Sequence, residues 1–415
     1  MKIAVIGSGI SGLSASWLIS QYHKVYLFEK KSYYGGHANT QVVRNNDKEL
    51  PVDTGFIVFN EKNYPNLCKL FESLNVKFIE SDMSFSVSRN NGKLEYSGSG
   101  FNGIFAQKKN LLDKDFIFML YEIIKFYKFD SKHKSNSEME TLSDFLKLRN
   151  YSDYFKYNHI YPMAASIWSS KLSDIANYPV NDFLSFFKNH NLFNIFHRPK
   201  WRTVFGGSKE YVKKILNSKK IISKKNIKVK VLSRKNNQVI LMVDKKKMYF
   251  DKLVVATHTD QAIKLLGDLT RDEENILGGI KYSKNKVYFH KDEALMPKDK
   301  KVWSSWNFLG EDSEKQRLTV SYWMNKLQNL QTNQNYFVTL NPFKKPINSK
   351  IIKTIEYSHP MFTFNTFQAQ ELLKNIQGNN NTWFCGAYTG FGFHEDGIKS
   401  GLHVAEQILG EKRPW

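Results

Sequence analysis

The chain has 415 residues, 41% of them hydrophobic with 31 Phe and 21 Tyr, enough to fill the cores of two domains. Lys and Arg number 61 against 39 Asp and Glu, and the net charge of +22 either favours an anionic membrane surface or reflects a lysine- and asparagine-rich composition. Two cysteines, Cys68 and Cys385, exclude a disulfide framework, and their spacing matches no metal site. No apolar run reaches the length of a bilayer span, no nucleic-acid motif is present, and with a core strand at the N-terminus no secretory signal is expected. A reducing, cytoplasmic setting is expected, with attachment to the inner membrane face as an option.

Lys2 to Ile6 is a short apolar run that predicts a buried strand, and Gly7-x-Gly9-x-x-Gly12 follows directly. Leu13, Ala15, Trp17 and Leu18 predict a helix to about Tyr22, and a second strand, Lys24 to Phe28, ends at Glu29. This is the dinucleotide fingerprint in its required context. Gly7 would permit the tight turn, Gly9 the approach of backbone to a pyrophosphate, and Gly12 close packing of helix on strand. The helix start would offer N–H groups to the phosphates. Gly7, Gly9, Ser11 and Gly12 are therefore candidate cofactor contacts, with Glu29, and Lys30 beside it, at the ribose.

Tyr34-Gly35-Gly36-His37-Ala38-Asn39-Thr40 comes next and reads, alone, as a turn. Residues 41–50 predict a strand and turn, and Pro51 to Asn60 places Gly55 before an apolar, strand-like run. Pro65 suits the first turn of a helix reaching about Leu74, with Leu67, Leu70, Phe71 and Leu74 on one face and an inert Cys68. Ser84 to Val87 and Leu94 to Tyr96, with Asn90-Asn91-Gly92 between, predict a hairpin that opens a second domain. Leu111 to Phe129 is densely apolar and punctuated by Lys108, Lys109, Lys114, Lys125 and Lys128. It reads either as a core helix of a lid domain or as a basic amphipathic helix lying on a membrane.

Residues 131–140 are loop-like, and Thr141-x-x-Asp144 is a capping box for a helix to Leu148. Phe183, Phe186, Phe187, Phe193, Phe196 and Trp201 are either ordinary core or the lining of a channel for an aliphatic substrate. Gly206-Gly207 leads a helix containing Tyr211, Val212, Ile215 and Leu216. Ile227 to Leu232 alternates as a strand, Val239 to Val243 and Met248 to Phe250 form a hairpin, and Leu253 to Thr257 is a buried strand before a helix at Asp260 to Leu266. Lys286 to Phe289, Val302 to Asn307, Arg317 to Met324 and Tyr336 to Leu340 predict a further sheet, to which Met361 to Phe367 would add an edge. Trp383 to Cys385 is a short strand ending at Gly386, Gly390 and Gly392 form a turn, and Glu395-Asp396-Gly397 opens a helix buried along Ile398, Leu402, Ala405 and Ile408.

Together these segments resemble the FAD-dependent amine oxidase and phytoene desaturase superfamily over nearly the whole chain. The Gly35-Gly36 segment is similar to its second glycine motif, with His37 where the family usually has Arg. Gly386 to Gly397 is similar to its last cofactor motif, with Ala387 where an acid is frequent. Asp53 to Asn60, Asn63-Tyr-Pro-Asn66, Met83-Ser-Phe85, His359-Pro360 and His394-Glu395-Asp396 resemble a bacterial branch associated with modification of fatty acyl chains. The resemblance implies an α/β fold: a Rossmann-type FAD-binding domain (1–80, 202–268 and 375–415) interleaved with an α+β substrate domain (81–201 and 269–374) that holds a mixed or antiparallel sheet. It implies FAD contacts from Gly36, His37, Thr40, Gly55, Val229, Gly386, Ala387, Glu395, Asp396, Gly397 and Ile398.

The resemblance further implies dehydrogenation of a fatty acyl or phospholipid substrate by hydride transfer to flavin N5; the alternatives are a redox-neutral double-bond isomerase or an amine oxidase. His394 is the candidate base or orienting group, because an imidazole changes charge near neutral pH, and Tyr388 is the second candidate. Glu395 and Asp396 sit where acids cap a helix start. No motif identifies the electron acceptor.

Overall fold

Five short apolar strands align in parallel in the order Thr382–Phe384, Lys252–Val255, Lys2–Ile6, Lys24–Phe28 and Ile221–Lys224. A parallel sheet is covered on both faces, so its strands read as continuous hydrophobic runs rather than alternating ones. Ile3, Val5, Val25, Leu27, Val254 and Val255 are accordingly fully buried. Lys2–Ile6 is the switch point: the chain continues to one side through Lys24–Phe28, and the other side is filled by Lys252–Val255. Ligands bind such sheets at the carboxyl ends of the strands on either side of this point. The first helix, Ile10–Ile19, is buried along its whole length. The last, His394–Leu409, packs against it.

This computed structural model describes residues 1–45, 48–128, 139–194, 199–311 and 319–415. The chain forms two units, the first comprising Met1–Ile79, Val204–Tyr282 and Phe364–Trp415, the second Glu80–Thr203 and Ser283–Thr363. The first unit adds a three-stranded meander, Val229–Lys235, Gln238–Val243 and Lys246–Phe250, whose first turn holds Asn236 and Asn237 in the left-handed region that tight hairpins require. Its core joins Val231, Leu241 and Phe250 to Ile276, Leu277, Ala369 and Leu373. Residues 269–282 and 364–374, expected in the substrate domain, therefore belong here: their apolar faces are buried by the meander.

The second unit is built on a seven-stranded mixed sheet, ordered Ile351–Pro360, Tyr282–His290, Phe337–Leu340, Thr319–Trp323, Trp306–Gly310, Phe85–Arg89 and Leu94–Ser97. The edge expected at 361–367 is instead Ile351–Pro360, and Phe364–Leu372 is a helix. Gln368, Ala369, Gln370, Glu371 and Leu372 are good helix formers, and they carry the helix back to Phe364. Val302 closes a 3-10 turn, so the strand expected from it starts at Trp306. Of the aromatic stretch, Phe183, Phe186 and Phe187 are core, whereas Phe193 and Trp201 are half-buried. Phe183 stacks on Phe187 at 4.2 Å, Trp168 packs on Phe186 at 4.7 Å, and all four are buried. Phe129, Phe196 and the loop at 131–138 lie outside the described residues. No helix among the described residues is long and apolar enough to cross a membrane.

A buried ion-pair cluster anchors the meander to the Arg271–Gly278 helix. Arg234, with 1% of its surface exposed, donates to Asp268 at 2.8 Å and to both Glu273 oxygens at 2.7 and 2.8 Å. Glu273 also caps its own helix through Thr270. Removing one partner of a buried pair leaves an uncompensated charge, so Glu273→Ala should lower unfolding free energy by about 3 kcal/mol, and the double change Arg234→Met/Glu273→Leu by less, in urea titrations of the purified protein.

Candidate cofactor and active site

The turn between the first strand and first helix is fixed by two glycines with no room for a side chain. Gly7 has φ +103°, and a Cβ there would fall 2.5 Å from the Ala256 carbonyl oxygen; one on Gly12 would fall 1.9 Å from the Gly7 oxygen. Gly9, between them, faces open space, with nothing within 4 Å of where its Cβ would stand. It is the N-cap of the first helix, which has neither a side-chain cap nor an acid in its first turn. The helix start thus leaves backbone donors and a partial positive charge facing a gap.

Glu29 is held at the edge of this turn. Its carboxylate accepts from Ser8 N–H at 3.0 Å, Ser8 Oγ at 2.6 Å and Lys31 N–H at 2.8 Å. Ile227 donates its N–H to the Glu29 carbonyl at 3.1 Å, which brings the strand opening at Val229 to the same end of the sheet. Lys30 is exposed. The second glycine segment lies directly over the first: a Cβ on Gly36 would approach Gly9 Cα to 2.9 Å, and Gly35 N–H donates to the Ser8 carbonyl at 3.0 Å. The His37 carbonyl accepts from Phe56 N–H at 2.7 Å, and a Cβ on Gly55 would fall 2.3 Å from the same oxygen. The His37 ring lies 6.4 Å from the His258 ring, which stacks on Tyr282.

Thr40 has a structural duty. Its hydroxyl donates to Asp53 at 2.6 Å and accepts from Lys209 N–H at 3.0 Å. Asp53, almost fully buried, also accepts from Ser208 N–H at 3.0 Å and Ser208 Oγ at 2.7 Å. This cluster joins the second glycine segment, the 48–53 strand and the Lys209–Leu216 helix. Thr40 and Asp53 both lie in segments the sequence marks out, but nothing in the sequence pairs them with each other or with Ser208.

The C-terminal motif meets the N-terminal one. A Cβ on Gly397 would stand 2.7 Å from Ile10 Cγ2, 3.0 Å from Ser11 Oγ and 3.7 Å from Ala387 Cβ; one on Gly401 would fall 2.1 Å from the Ser11 carbonyl oxygen. Ser14 Oγ donates to the Ile398 carbonyl at 3.4 Å. Gly386 N–H donates to Ser400 Oγ at 3.2 Å, tying the end of the last strand to the last helix.

The two acids at the start of that helix are committed to backbone. Glu395 accepts from Asn66 N–H at 2.9 Å, Asn66 Nδ2 at 2.6 Å and Leu67 N–H at 3.1 Å, and so caps the Pro65–Ser73 helix. Asp396 accepts from Phe391 and Phe393 N–H at 3.0 and 2.9 Å. Asn66 Oδ1 in turn accepts from Arg413 Nη1 at 2.8 Å and Trp415 Nε1 at 3.3 Å. Asn66 is a site residue that sequence reasoning missed as such; its partners lie more than 300 positions away, beyond any local signal.

His394 stacks on Phe56 at 3.7 Å with 9° between planes, and its Nε2 shares a hydrogen bond with Tyr211 Oη at 3.0 Å. Enclosure between these rings pushes its pKa down to about 3, so the imidazole is neutral at physiological pH and a weak proton acceptor. That favours the orienting role over the base. Tyr388 is buried in the core beside Phe384 and Tyr282, and burial holds its phenol well above the usual range. An uncapped helix start, an open approach at Gly9 and a preset carboxylate at Glu29 fit a dinucleotide.

The NAD(P)-binding Rossmann-like domain family matches residues 5–74. No curated protein matches the chain in sequence. Solved structures similar in fold include a candidate protoporphyrinogen oxidase from Exiguobacterium sp. 255-15, at 14% identity and TM-score 0.70, with 99% of each chain covered. The fatty acid isomerase from P. acnes that produces CLA aligns at 12% identity and TM-score 0.64 over 98% of each chain. Cyclohexylamine oxidase from Brevibacterium oxydans IH-35A aligns at 13% identity and TM-score 0.64, covering 98% of this chain and 99% of that one.

Burial pushes Asp396 up to about 6 from 3.8, against the pull of its two N–H donors. A carboxyl raised in the folded state binds its proton more tightly there, so its contribution to stability is full below pH 4 and is lost as pH rises through 6. The difference in unfolding free energy between wild type and Asp396→Asn should therefore fall by about 1–3 kcal/mol between pH 4 and 7, read from urea titrations at each pH. A flat difference would show that Asp396 titrates normally.

Proposed function

We propose that this chain, which has the fold of the amine oxidase-like flavoproteins, is an FAD-dependent oxidoreductase that dehydrogenates an acyl-lipid chain. The observation that carries the reading is the meeting of the two ends of the sequence, with Gly397 of the last helix seated on Ile10 and Ser11 of the first. Gly9 and the N–H groups of the first helical turn would hold the pyrophosphate, and Glu29 the ribose hydroxyls of the adenosine half. The start of the last helix, with Gly386 and Ala387 beside it, would face the isoalloxazine. When bound, FAD would supply a hydride acceptor at N5.

The residues at that end favour an uncharged substrate. Asp53 and Glu395 each spend both oxygens on hydroxyl or N–H donors within the fold, and Asp396 spends Oδ2 on two N–H groups. His394 is a neutral ring between Phe56 and Tyr211. It would orient rather than deprotonate. The second reading is a redox-neutral double-bond isomerase, favoured by the shared fold with the P. acnes fatty acid isomerase.

Two experiments test the proposal. Glu29→Ala should bind FAD about 10–100-fold more weakly than wild type in fluorescence titrations, since hydrogen bonds to a charged group contribute about 1.5–3 kcal/mol. Glu29→Gln, which keeps the shape, should lose less. Full flavin retention by Glu29→Ala would defeat the cofactor assignment. In anaerobic mixing of the holoprotein with lipid extract, the visible flavin band should bleach while an acyl double bond forms, and putrescine should leave it unchanged. Double-bond migration without net bleaching would instead establish the isomerase.

A further inference from the structure

In the second unit, one helix carries its hydrophobic residues on both sides. Lys114–Lys128 buries Phe116, Met119 and Phe126 against its own unit. The opposite face carries Ile117, Phe118, Tyr121 and Ile124, at helical spacing, and all four are exposed, Tyr121 at 59% and Phe118 at 51%. Phe118 and Tyr121 lie ring to ring at 5.9 Å. Leu111 and Leu112 stand exposed in the turn just before the helix, Leu112 at 89%. An apolar strip of this kind on a surface marks an interaction site.

Its charges identify the partner. Exposed Lys114 and Lys128 stand at the two ends of the strip, and exposed Lys108 and Lys109 precede it. Of the acids on this stretch, Asp113 caps the helix by accepting from Asp115 and Phe116 N–H, and Glu122 is buried against Ser152; Asp115 is the exposed one. Lysines around an apolar strip let the rings enter the acyl boundary while the ammonium groups stay at the anionic headgroups. We infer that residues 108–128 form a docking surface for an anionic lipid bilayer, with the helix lying in the plane of the interface. This inference stands on the second unit alone and does not rest on the proposed chemistry.

The full-length holoprotein would be floated with vesicles of phosphatidylcholine alone and of phosphatidylcholine with phosphatidylglycerol. Binding to the anionic vesicles, weakened by salt and weaker on pure phosphatidylcholine, is the expected result. Lys114→Glu/Lys128→Glu should reduce partitioning by at least about fivefold per lysine. Leu112→Ser/Phe118→Ser/Tyr121→Ser should abolish it while leaving circular dichroism and flavin content unchanged, since these side chains are exposed. Absence of binding to anionic vesicles would overturn the inference. Unaltered binding by the serine variant would also overturn it, because basic charge elsewhere would then suffice. A wild-type dimer in solution, lost in the serine variant without any lipid binding, would assign the strip to a second copy and sink the bilayer reading.

Discussion

The first unit depends on how closely two helices approach each other. Gly397 and Gly401 of the last helix leave no space between their backbone and Ile10, Ser11 and Ser14 of the first. Small residues at such a crossing trade side-chain burial for direct backbone packing. The first helix can then be buried along its whole length while its N-terminal donors stay open toward Gly9. A bulkier residue at either glycine would lift the last helix away, and with it Gly386 and Ala387, which are tied to that helix through Ser400.

The second constraint is electrostatic. Asp53, Glu395 and Asp396 are all largely removed from water, and all have pKa values raised by burial. Each is compensated by hydroxyl or N–H donors rather than by a cation. The carboxylates therefore stitch segments distant in sequence: Asp53 joins the 40–53 hairpin to Ser208, and Glu395 joins the last helix to Asn66. Beside them, the rings of Phe56 and Tyr211 enclose His394.

Much of this was legible in the residues. The glycine fingerprint came with its strand, helix and acid, and local spacing alone specified turn, helix start and Glu29. The C-terminal strand, turn and helix were equally local. What escaped were pairings across hundreds of positions. Thr40 read as a cofactor contact because its motif sits beside the glycine pair, yet its hydroxyl serves Asp53 and Lys209. Phe56 and Tyr211 carried no sign that they would enclose His394, and without that enclosure its depressed pKa could not be foreseen. Where an edge is expected at 361–367, a helix starts at Phe364, because Gln368 to Leu372 are helix formers.

The strand order also governs when the first unit can form during synthesis. Lys2–Ile6 acquires its second neighbour only when Lys252–Val255 has been made, and the sheet closes only with Thr382–Phe384. The glycine turn is made about 240 residues before Lys252–Val255, and the edge of its strand stays unpaired in between. Long-range parallel pairing is slow and exposes apolar strands meanwhile. A nascent chain should therefore need its apolar strands shielded until Thr382–Phe384 has been made and can complete the sheet.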